Sequence, residues 1–479
     1  MDTTVTPASP DKFSLPEQLH RLRQACQATP MPDLASRRAR LDALKQGLLR
    51  HKQALCQALA RDYGQRSDYD SLIADVLPCV MQINYTLKRL KGWMKPERRH
   101  SGLLLAPARV EVHYQPLGVV GIMVPWNFPV MLSLGPLIGA LAAGNRAMIK
   151  LSEFTPHTNA VLRTLLDEAL GGDEVVVIEG DAGIAAAFSA LPFDHLIFTG
   201  STAVGRLVMA AAAPQLTPLT PLTLELGGKS PCLIAPDMPL ALAVERMIFG
   251  KSLNAGQICV APDYVLLPRG QEQAFIEAYQ AHFRRLYPKG LESPDYGAII
   301  NPPQYERLTA WLEEARQAGA QIHPCVTPAR DDATRKLVPH LLTEVPGHCQ
   351  VMQQEIFGPL LPLVPYDDIE EALAYVAARP RPLALYLMSL DETLQRRLIR
   401  ETHAGGMAIN ESLFQVAADD APFGGIGPSG MGHYHGREGF LTFSKAKTVL
   451  RRGRFSTGSL IHPPYRRWYQ RLMMALFLR

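Results

Sequence analysis

Apolar residues recur along this chain in two rhythms. Between residues 34 and 64 the longer one dominates. Leu34, Leu41, Leu44, Leu48, Leu55 and Leu59 fall at roughly helical spacing, and Gly64 offers a stop. Ahead of this helix, Ser14-Leu-Pro-Glu17 has the capping-box form, in which the serine and the glutamate three residues on satisfy each other's orphan backbone donors. The polar, proline-containing start, residues 1–13, predicts a short disordered tip.

From about residue 110 the rhythm shortens. Val119–Val124, Ala147–Lys150, Val175–Ile178 and His195–Thr199 read as short buried strands, separated by helical patterns over Val130–Ala143, His157–Ala169 and Ala182–Ala190. Such alternation predicts a parallel, doubly wound sheet with right-handed crossovers. Ligands of such sheets bind beyond the carboxyl ends of the strands. After about 225 the pattern restarts, with strand Pro231–Ile234, helix Leu240–Lys251, strand Tyr264–Leu267 and helix Glu272–Tyr287, predicting a second α/β domain. Phe440–Arg454 is strand-like and suits an arm or subunit contact. No fixed-period repeat interrupts this order.

Two apolar stretches raise the question of a membrane. Gln115 to Asn145 lacks charge, but Pro116, Pro125, Pro129, Pro136 and Asn127 make it a buried strand, a loop and a small-residue helix. The tail from Pro463 to Arg479 is basic and aromatic, and its apolar run Leu472–Leu478 is too short to span a bilayer. It can lie on a membrane surface or dock on the protein's own body or a partner subunit, and docking is favoured.

Composition narrows the function. The 479 residues are 47% hydrophobic and 20% charged, a globular composition. A net charge of +4 excludes the basic footprint of a nucleic-acid binder. Seven scattered cysteines form neither a disulfide framework nor a CxxC metal pair, so reduced thiols in a cytoplasmic protein are expected. Individual segments then offer chemistry. His195-Leu-Ile-Phe-Thr-Gly-Ser-Thr-Ala-Val-Gly205 is a strand, a glycine turn and a helix start, suited to phosphate or pyrophosphate, although glycine turns after strands are common and by itself the segment reads more readily as an ordinary turn. Leu226-Gly-Gly-Lys-Ser230 suggests a P-loop, but Thr223 stands where the Walker pattern needs glycine. Cys259, in a loop behind Gly256, can act as a nucleophile because loop amides can depress a thiol pKa, but for this segment taken singly an inert buried thiol is the favoured reading. His433 and His435 lack a third ligand and read as a structural pair, so no metal is expected.

The order and wording of the motifs carry more than any one of them. Pro125-Trp-Asn-Phe-Pro129, Ile149-Lys-Leu-Ser-Glu153, Phe198-Thr-Gly-Ser201, Leu224-Glu-Leu-Gly-Gly-Lys-Ser230, Gly256-Gln-Ile-Cys259 and Glu355-Ile-Phe-Gly-Pro359 resemble the motif series of the NAD(P)-dependent aldehyde dehydrogenases. The ending Pro422–Gly436, followed by Phe443-Ser-Lys-Ala-Lys447, resembles the class 3 branch, and within it the bacterial coniferyl aldehyde subgroup. The resemblance implies a Rossmann-type sheet, a second α/β catalytic domain and a small β bridging and oligomerisation element. It divides the chain into N-terminal helices of the cofactor domain (1–95), a bridging segment (96–117), the dinucleotide-binding domain (118–225), the catalytic domain (226–410) and a return with arm and tail (411–479).

By the same resemblance Cys259 attacks the aldehyde carbon, Asn127 and the Cys259 N–H hold the oxyanion, and Glu225 activates the water that hydrolyses the thioester. Lys150 and Glu153 would contact the adenosine ribose, with Trp126 nearby. Gly200 and Ser201 would meet the pyrophosphate, Gly205 would allow close helix packing, Glu355 would bind the nicotinamide ribose, and Phe357 would face the nicotinamide. The family's usual Lys-Pro-Ser-Glu reads Lys150-Leu151-Ser152-Glu153 here, which keeps both polar contacts. Glu153 near a 2′-hydroxyl favours NAD, with NADP as the alternative. The expected substrate is an aromatic aldehyde such as coniferyl aldehyde, or a medium- to long-chain aliphatic one, and the expected assembly is a homodimer. The competing readings are a cofactor-free thiol hydrolase, a CoA-acylating dehydrogenase and a non-catalytic binding protein on the same fold. Lys150, Ser201 and Glu355 argue against the hydrolase, which has no use for cofactor contacts; Glu225 argues against CoA acylation; and Cys259, Glu225 and Asn127 together argue against a non-catalytic protein.

Overall fold

Three sheets, with a small two-stranded pair of Arg330–Asp331 and Lys336–Leu337 beside them, organise the chain, a computed structural model of which describes residues 14–102, 105–213, 219–454 and 458–478. A six-stranded sheet runs in the spatial order Gly430–Met431, Leu222–Glu225, His195–Thr199, Val119–Met123, Arg146–Lys150, Val175–Ile178, parallel except for its first strand. A seven-stranded sheet has the order Gln321–Pro324, His340–Thr343, Leu360–Tyr366, Tyr264–Pro268, Pro231–Ile234, Ala384–Met388, Gly406–Ile409, again parallel except at its first strand. A three-stranded antiparallel sheet joins Glu97–Arg99, Arg109–Pro116 and Ser444–Arg451. The two mostly parallel sheets are those the apolar rhythm predicts, and the small β element is the one the resemblance implies.

Burial explains why these segments take these forms. Val119–Met123 is buried along its whole length, as expected of a central strand covered on both faces. Its Gly121 leaves room for a neighbouring side chain: a Cβ there would stand 2.7 Å from the Phe193 ring. The uncharged stretch resolves into this strand, a loop and helix Pro129–Ala143, buried on nearly every side. Gly139 lets Phe443 approach that helix, with 3.2 Å to a hypothetical Cβ. Asn145 closes the unit. Its Oδ1 accepts the Leu117 and Gly118 N–H groups at 2.7 and 2.9 Å, and its amide donates to the Phe443 carbonyl at 2.8 Å.

The long helix Leu34–Tyr63 ends at Gly64 (φ 79°), and Leu41, Leu44, Leu48, Leu55 and Leu59 are fully buried. At Ser14 the backbone N–H donates to the Glu17 carboxylate at 2.7 Å, the reach-back half of the capping box. The arm differs from expectation at its start. Residues Gly436–Thr442 form a helix and only Ser444–Arg451 is strand, because Phe440 and Phe443 are buried. Residues 1–13 lie outside the described residues. The tail forms helix Trp468–Phe477, packed mainly on the turn Gly458–Ile461.

The last residues of the parallel strands in the six-stranded sheet are Met123, Lys150, Ile178, Thr199 and Glu225. Most of the motifs singled out in the sequence therefore open from one edge, beyond the carboxyl ends of the strands. Asp62, near the end of the long helix, caps helix Pro156–Ala169 on this side. Its carboxylate accepts the N–H groups of His157 and Thr158 at 3.0 and 2.8 Å and the Thr158 hydroxyl at 2.6 Å. Asp62→Ala should lower unfolding free energy by about 1–2 kcal/mol, measured by denaturant titration, with Asp62→Asn recovering part of the loss.

Candidate active site

Exposure separates the thiols. Cys56, Cys79, Cys232, Cys325 and Cys349 are buried, whereas Cys26 and Cys259 are half-buried. Cys259 follows helix Leu240–Ser252, whose exit is a run of left-handed residues: Asn254 (φ 50°), Ala255 (φ 51°) and Gly256 (φ 73°). At Gly256 a Cβ would stand 2.7 Å from the Gly358 carbonyl oxygen. The two non-glycine residues hold this costly conformation because their surroundings over-determine it. The Gln257 amide donates to the Asn254 and Ala298 carbonyls at 2.8 and 3.1 Å, and its Oε1 accepts the Ile300 N–H at 3.0 Å. Beyond the thiol, the Tyr386 hydroxyl donates to the Val260 carbonyl at 2.5 Å.

Burial pushes the Cys259 thiol up to about 12, and the charges of Glu355 and Glu225 add to the rise. The N–H groups of Cys259 and Val260 point at the sulfur and oppose it. The depressed thiol pKa that loop amides suggest in the sequence is thus overturned by desolvation and two carboxylates. At rest this is a neutral thiol.

Glu225 ends strand Leu222–Glu225, is buried, and has no hydrogen-bond partner on either carboxylate oxygen. Burial alone holds its pKa well above the ordinary value. Glu355 is raised to about 8, first by burial and then by Asp263, while the Gly228 N–H, Lys229 and Arg307 pull the other way. Its Oε1 is buried and unpartnered. Gly227 makes room for it: a Cβ there would collide with the Glu355 carboxylate.

Asn127 lies in the loop between strand Val119–Met123 and helix Pro129–Ala143 and is 3% exposed. Its side-chain amide donates to the Gln257 carbonyl at 3.2 Å, which fixes it against the Cys259 loop. Its own carbonyl accepts the Tyr63 hydroxyl and Arg66 Nη1, both at 3.0 Å, and the Asn254 amide at 3.2 Å. Arg66 pairs with Asp75 at 2.6 Å with both side chains fully buried, and its guanidinium lies 5.0 Å from the rings of Tyr63 and Phe128. Asp75 also accepts the Val130 and Met131 N–H groups at 3.1 and 3.0 Å, capping the helix that follows Asn127.

The remaining predicted residues line the same edge. Lys150, buried, donates to the Leu151 carbonyl at 2.7 Å and stands 3.7 Å from the Glu153 carboxylate, and burial lowers its pKa. Trp126 and Phe357 meet edge to face, their centroids 5.2 Å apart. Ser201 caps helix Thr202–Ala212 by accepting the Val204 N–H at 3.4 Å. A Cβ at Gly200 would strike the Phe198 ring, and one at Gly205 would stand 2.8 Å from Leu226. A glycine-lined approach to a helix start, with a buried, unpartnered carboxylate oxygen at Glu355, fits a long ligand carrying phosphates and hydroxyls.

Tyr63, Arg66, Asp75 and Asn254 escaped the sequence reading, although the charge of Asp75 amid the apolar run Leu72–Val76 was a usable signal. So did Lys251, buried with no partner on Nζ and lowered by burial to about 8. His435 is buried and stacked on Phe423, its rings 5.3 Å apart, while His433 is exposed.

The profile of the Aldehyde dehydrogenase family matches residues 19–449. A protein named probable coniferyl aldehyde dehydrogenase from Pseudomonas aeruginosa is 51% identical over 459 residues, covering 96% of this chain and 95% of its own. The structure described as the substrate-bound state of Staphylococcus aureus AldH superposes with a TM-score of 0.91 at 35% identity, over 98% of this chain and 100% of that one. A Mycobacterium tuberculosis aldehyde dehydrogenase complexed with NAD+ superposes at 0.81 and 28% identity, over 92% and 90%.

Asp75→Ala leaves the Arg66 charge buried and unpaired, and should cost about 3–5 kcal/mol in denaturant unfolding. The raised carboxyl of Glu355 makes a second prediction. Between its ordinary value of 4.5 and about 8 the unfolded chain is ionised while the folded chain keeps its proton. This group's contribution to stability therefore falls as pH rises through that window and is flat above it. The thermal midpoint of the ligand-free protein, followed from pH 5 to 8, should fall less steeply in Glu355→Gln.

Proposed function

The chain belongs to the aldehyde dehydrogenase family and oxidises an aldehyde to its carboxylic acid; we propose that it does so through Cys259 as nucleophile, Asn127 as oxyanion donor and Glu225 as base. One observation carries this reading. The Cys259 thiol and the unpartnered carboxylate of Glu225 lie close enough for charge on one to perturb the other, with the Asn127 amide anchored on the same loop.

The chemistry follows from these groups. Attack needs the thiolate: the Cys259 proton leaves through water to bulk solvent, and the Cys259 and Val260 N–H groups aimed at sulfur favour the anion that remains. The sulfur bonds to the aldehyde carbon, and the oxyanion that forms is met by the Asn127 amide and the Cys259 N–H. NAD, when bound, supplies the acceptor that takes a hydride from that carbon. Cys259 then holds the acyl group as a thioester. Glu225 takes a proton from water, the water oxygen bonds to the acyl carbon, and the carbon–sulfur bond breaks to release the acid and the thiolate. A carboxylate raised by burial has the proton affinity this step needs near neutral pH.

For the dinucleotide we assign Lys150 and Glu153 to the adenosine ribose, with Trp126 beside it, and Gly200, Ser201 and the helix start to the pyrophosphate. Gly205 allows the helix to pack close. Glu355 takes the nicotinamide ribose and Phe357 the nicotinamide face. Residues 1–95 and 118–225 then form the cofactor domain, 226–410 the catalytic domain, 96–117 the bridge and 411–479 the return, arm and tail. Glu153 would repel a 2′-phosphate, which makes NAD the preferred cofactor over NADP. Likeness to a protein named for coniferyl aldehyde supports an aromatic substrate ahead of a medium- or long-chain aliphatic one. We place the enzyme in the cytoplasm as a homodimer paired through the Ser444–Arg451 strand.

NADH formation against a graded aldehyde panel, repeated with NADP, tests cofactor and substrate together. Cys259→Ala should abolish turnover, by at least a thousand-fold, with NAD binding retained. Glu225→Gln should give a burst of NADH of about one equivalent per active site and then stall. Unchanged steady-state turnover in Glu225→Gln would remove the assignment of Glu225 to hydrolysis.

A further inference from the structure

Charge of one sign collects at the end of this chain. From Gly439 to Arg479 there are nine Lys and Arg and no Asp or Glu, so that with +4 overall the preceding part is net acidic. Lys445, Lys447 and Arg451 are exposed on strand Ser444–Arg451, where Arg451 reaches Glu111 of the neighbouring strand at 4.0 Å. Arg466, Arg467 and Arg471 are exposed at the start of the terminal helix.

That helix, Trp468–Phe477, is turned inside out. Trp468, Leu472 and Leu476 recur every four residues, so they form one stripe along the helix. They are 76, 54 and 57% exposed, and Phe477 and Leu478 extend the apolar surface at 52 and 77%. The inward side is the polar one: Gln470 is buried, and its amide donates to the Leu460 and His462 carbonyls at 3.0 and 3.1 Å. A helix that docks on its own protein buries the apolar stripe and exposes the glutamine. This one does the reverse, which argues against docking on the protein's own body, one of the two places, with a partner subunit, that the sequence favoured over a membrane.

An exposed apolar stripe of this size calls for an occupant. An isologous contact with the same helix of a second copy would set arginines against arginines. An anionic bilayer supplies the opposite charge along with an apolar phase, and tryptophan is at home at that boundary. Ten residues reach about 15 Å, half the hydrocarbon thickness, so the helix lies in the plane of the surface. Among the described residues no helix is long and apolar enough to cross a membrane.

We propose that the terminal helix and the acid-free segment leading to it dock this enzyme peripherally on an anionic lipid surface. Docking needs none of the catalytic assignments above. Its consequence, which does rest on the aldehyde reading, is access to aldehydes dissolved in the bilayer.

Full-length protein sedimented with vesicles of phosphatidylcholine, alone or with phosphatidylglycerol, tests this directly. Binding should require phosphatidylglycerol and weaken with salt. Leu472→Asp should lower the partition coefficient about ten-fold, and Arg466→Gln, Arg467→Gln and Arg471→Gln together roughly a hundred-fold. Oxidation of a small water-soluble aldehyde and the unfolding midpoint should stay unchanged in both variants, which separates lost docking from lost folding or chemistry. Absent pelleting, equal pelleting with neutral vesicles, or pelleting indifferent to these substitutions would overturn the proposal. So would a fall in solution mass of Leu472→Asp by light scattering, which would assign the stripe to a second copy.

Discussion

The carbonyl oxygen of Asn127 ties together three parts of the chain that are far apart in sequence. Tyr63 and Arg66 reach it from the end of the long N-terminal helix and the turn that follows, and Asn254 reaches it from the strained exit before Cys259. A carbonyl with three donors leaves its peptide little freedom. The Asn127 side chain is therefore aimed by its own backbone, and its amide meets the Gln257 carbonyl, two residues from the thiol. The Arg66 guanidinium can be spent on a neutral oxygen only because Asp75 neutralises it in the same buried space. Asp75 in turn caps the helix that starts just beyond Asn127. Position at the reacting centre thus rests on a fully buried ion pair that touches no substrate.

Around that fixed point, desolvation differentiates two carboxylates. Glu225 has burial and nothing else, whereas Glu355 has burial tempered by an N–H group and two cations. Environments this unlike push two acids toward unlike tasks. The unpartnered carboxylate, whose proton affinity burial alone raises, suits proton abstraction from water. The one supported by Gly228, Lys229 and Arg307 suits holding hydroxyls. The thiol shares the same low-polarity space, which explains why it rests protonated although amides point at it.

Local pattern made much of this legible. Strands buried on both faces read as β-branched runs, so Val175–Ile178, His195–Thr199 and Pro231–Ile234 were placed to the residue. Where a flanking residue is proline or polar, as at Pro129, Arg146 and Pro156, burial or first-turn placement extended the element by one residue. The clamp at Asn127 was not legible because its partners lie 61 and 127 residues away and belong to no motif. The same holds for the thiol's proton affinity, which depends on how closely Glu225 and Glu355 approach. Inversion of the terminal helix was equally hidden, since its apolar positions look alike whether they face protein or not.

The near-miss at Leu226-Gly-Gly-Lys-Ser230 shows how shape rather than wording decides chemistry. In a phosphate-binding loop the lysine must be free to reach the ligand. Here Lys229 is bound three ways, by the Asp263 carboxylate and by the Val351 and Gln354 carbonyls, the latter two at 2.8 and 3.0 Å. Asp263 in turn accepts the Ile356 N–H at 2.9 Å, so the lysine locks the segment that presents Glu355. The missing Cβ of Gly227 opens the space this carboxylate occupies, and the Gly228 N–H meets it. The glycine pair is therefore shaped around an anion that the protein itself supplies, and the lysine serves as a brace. A segment that would elsewhere cradle a phosphate here positions the acid facing the ligand.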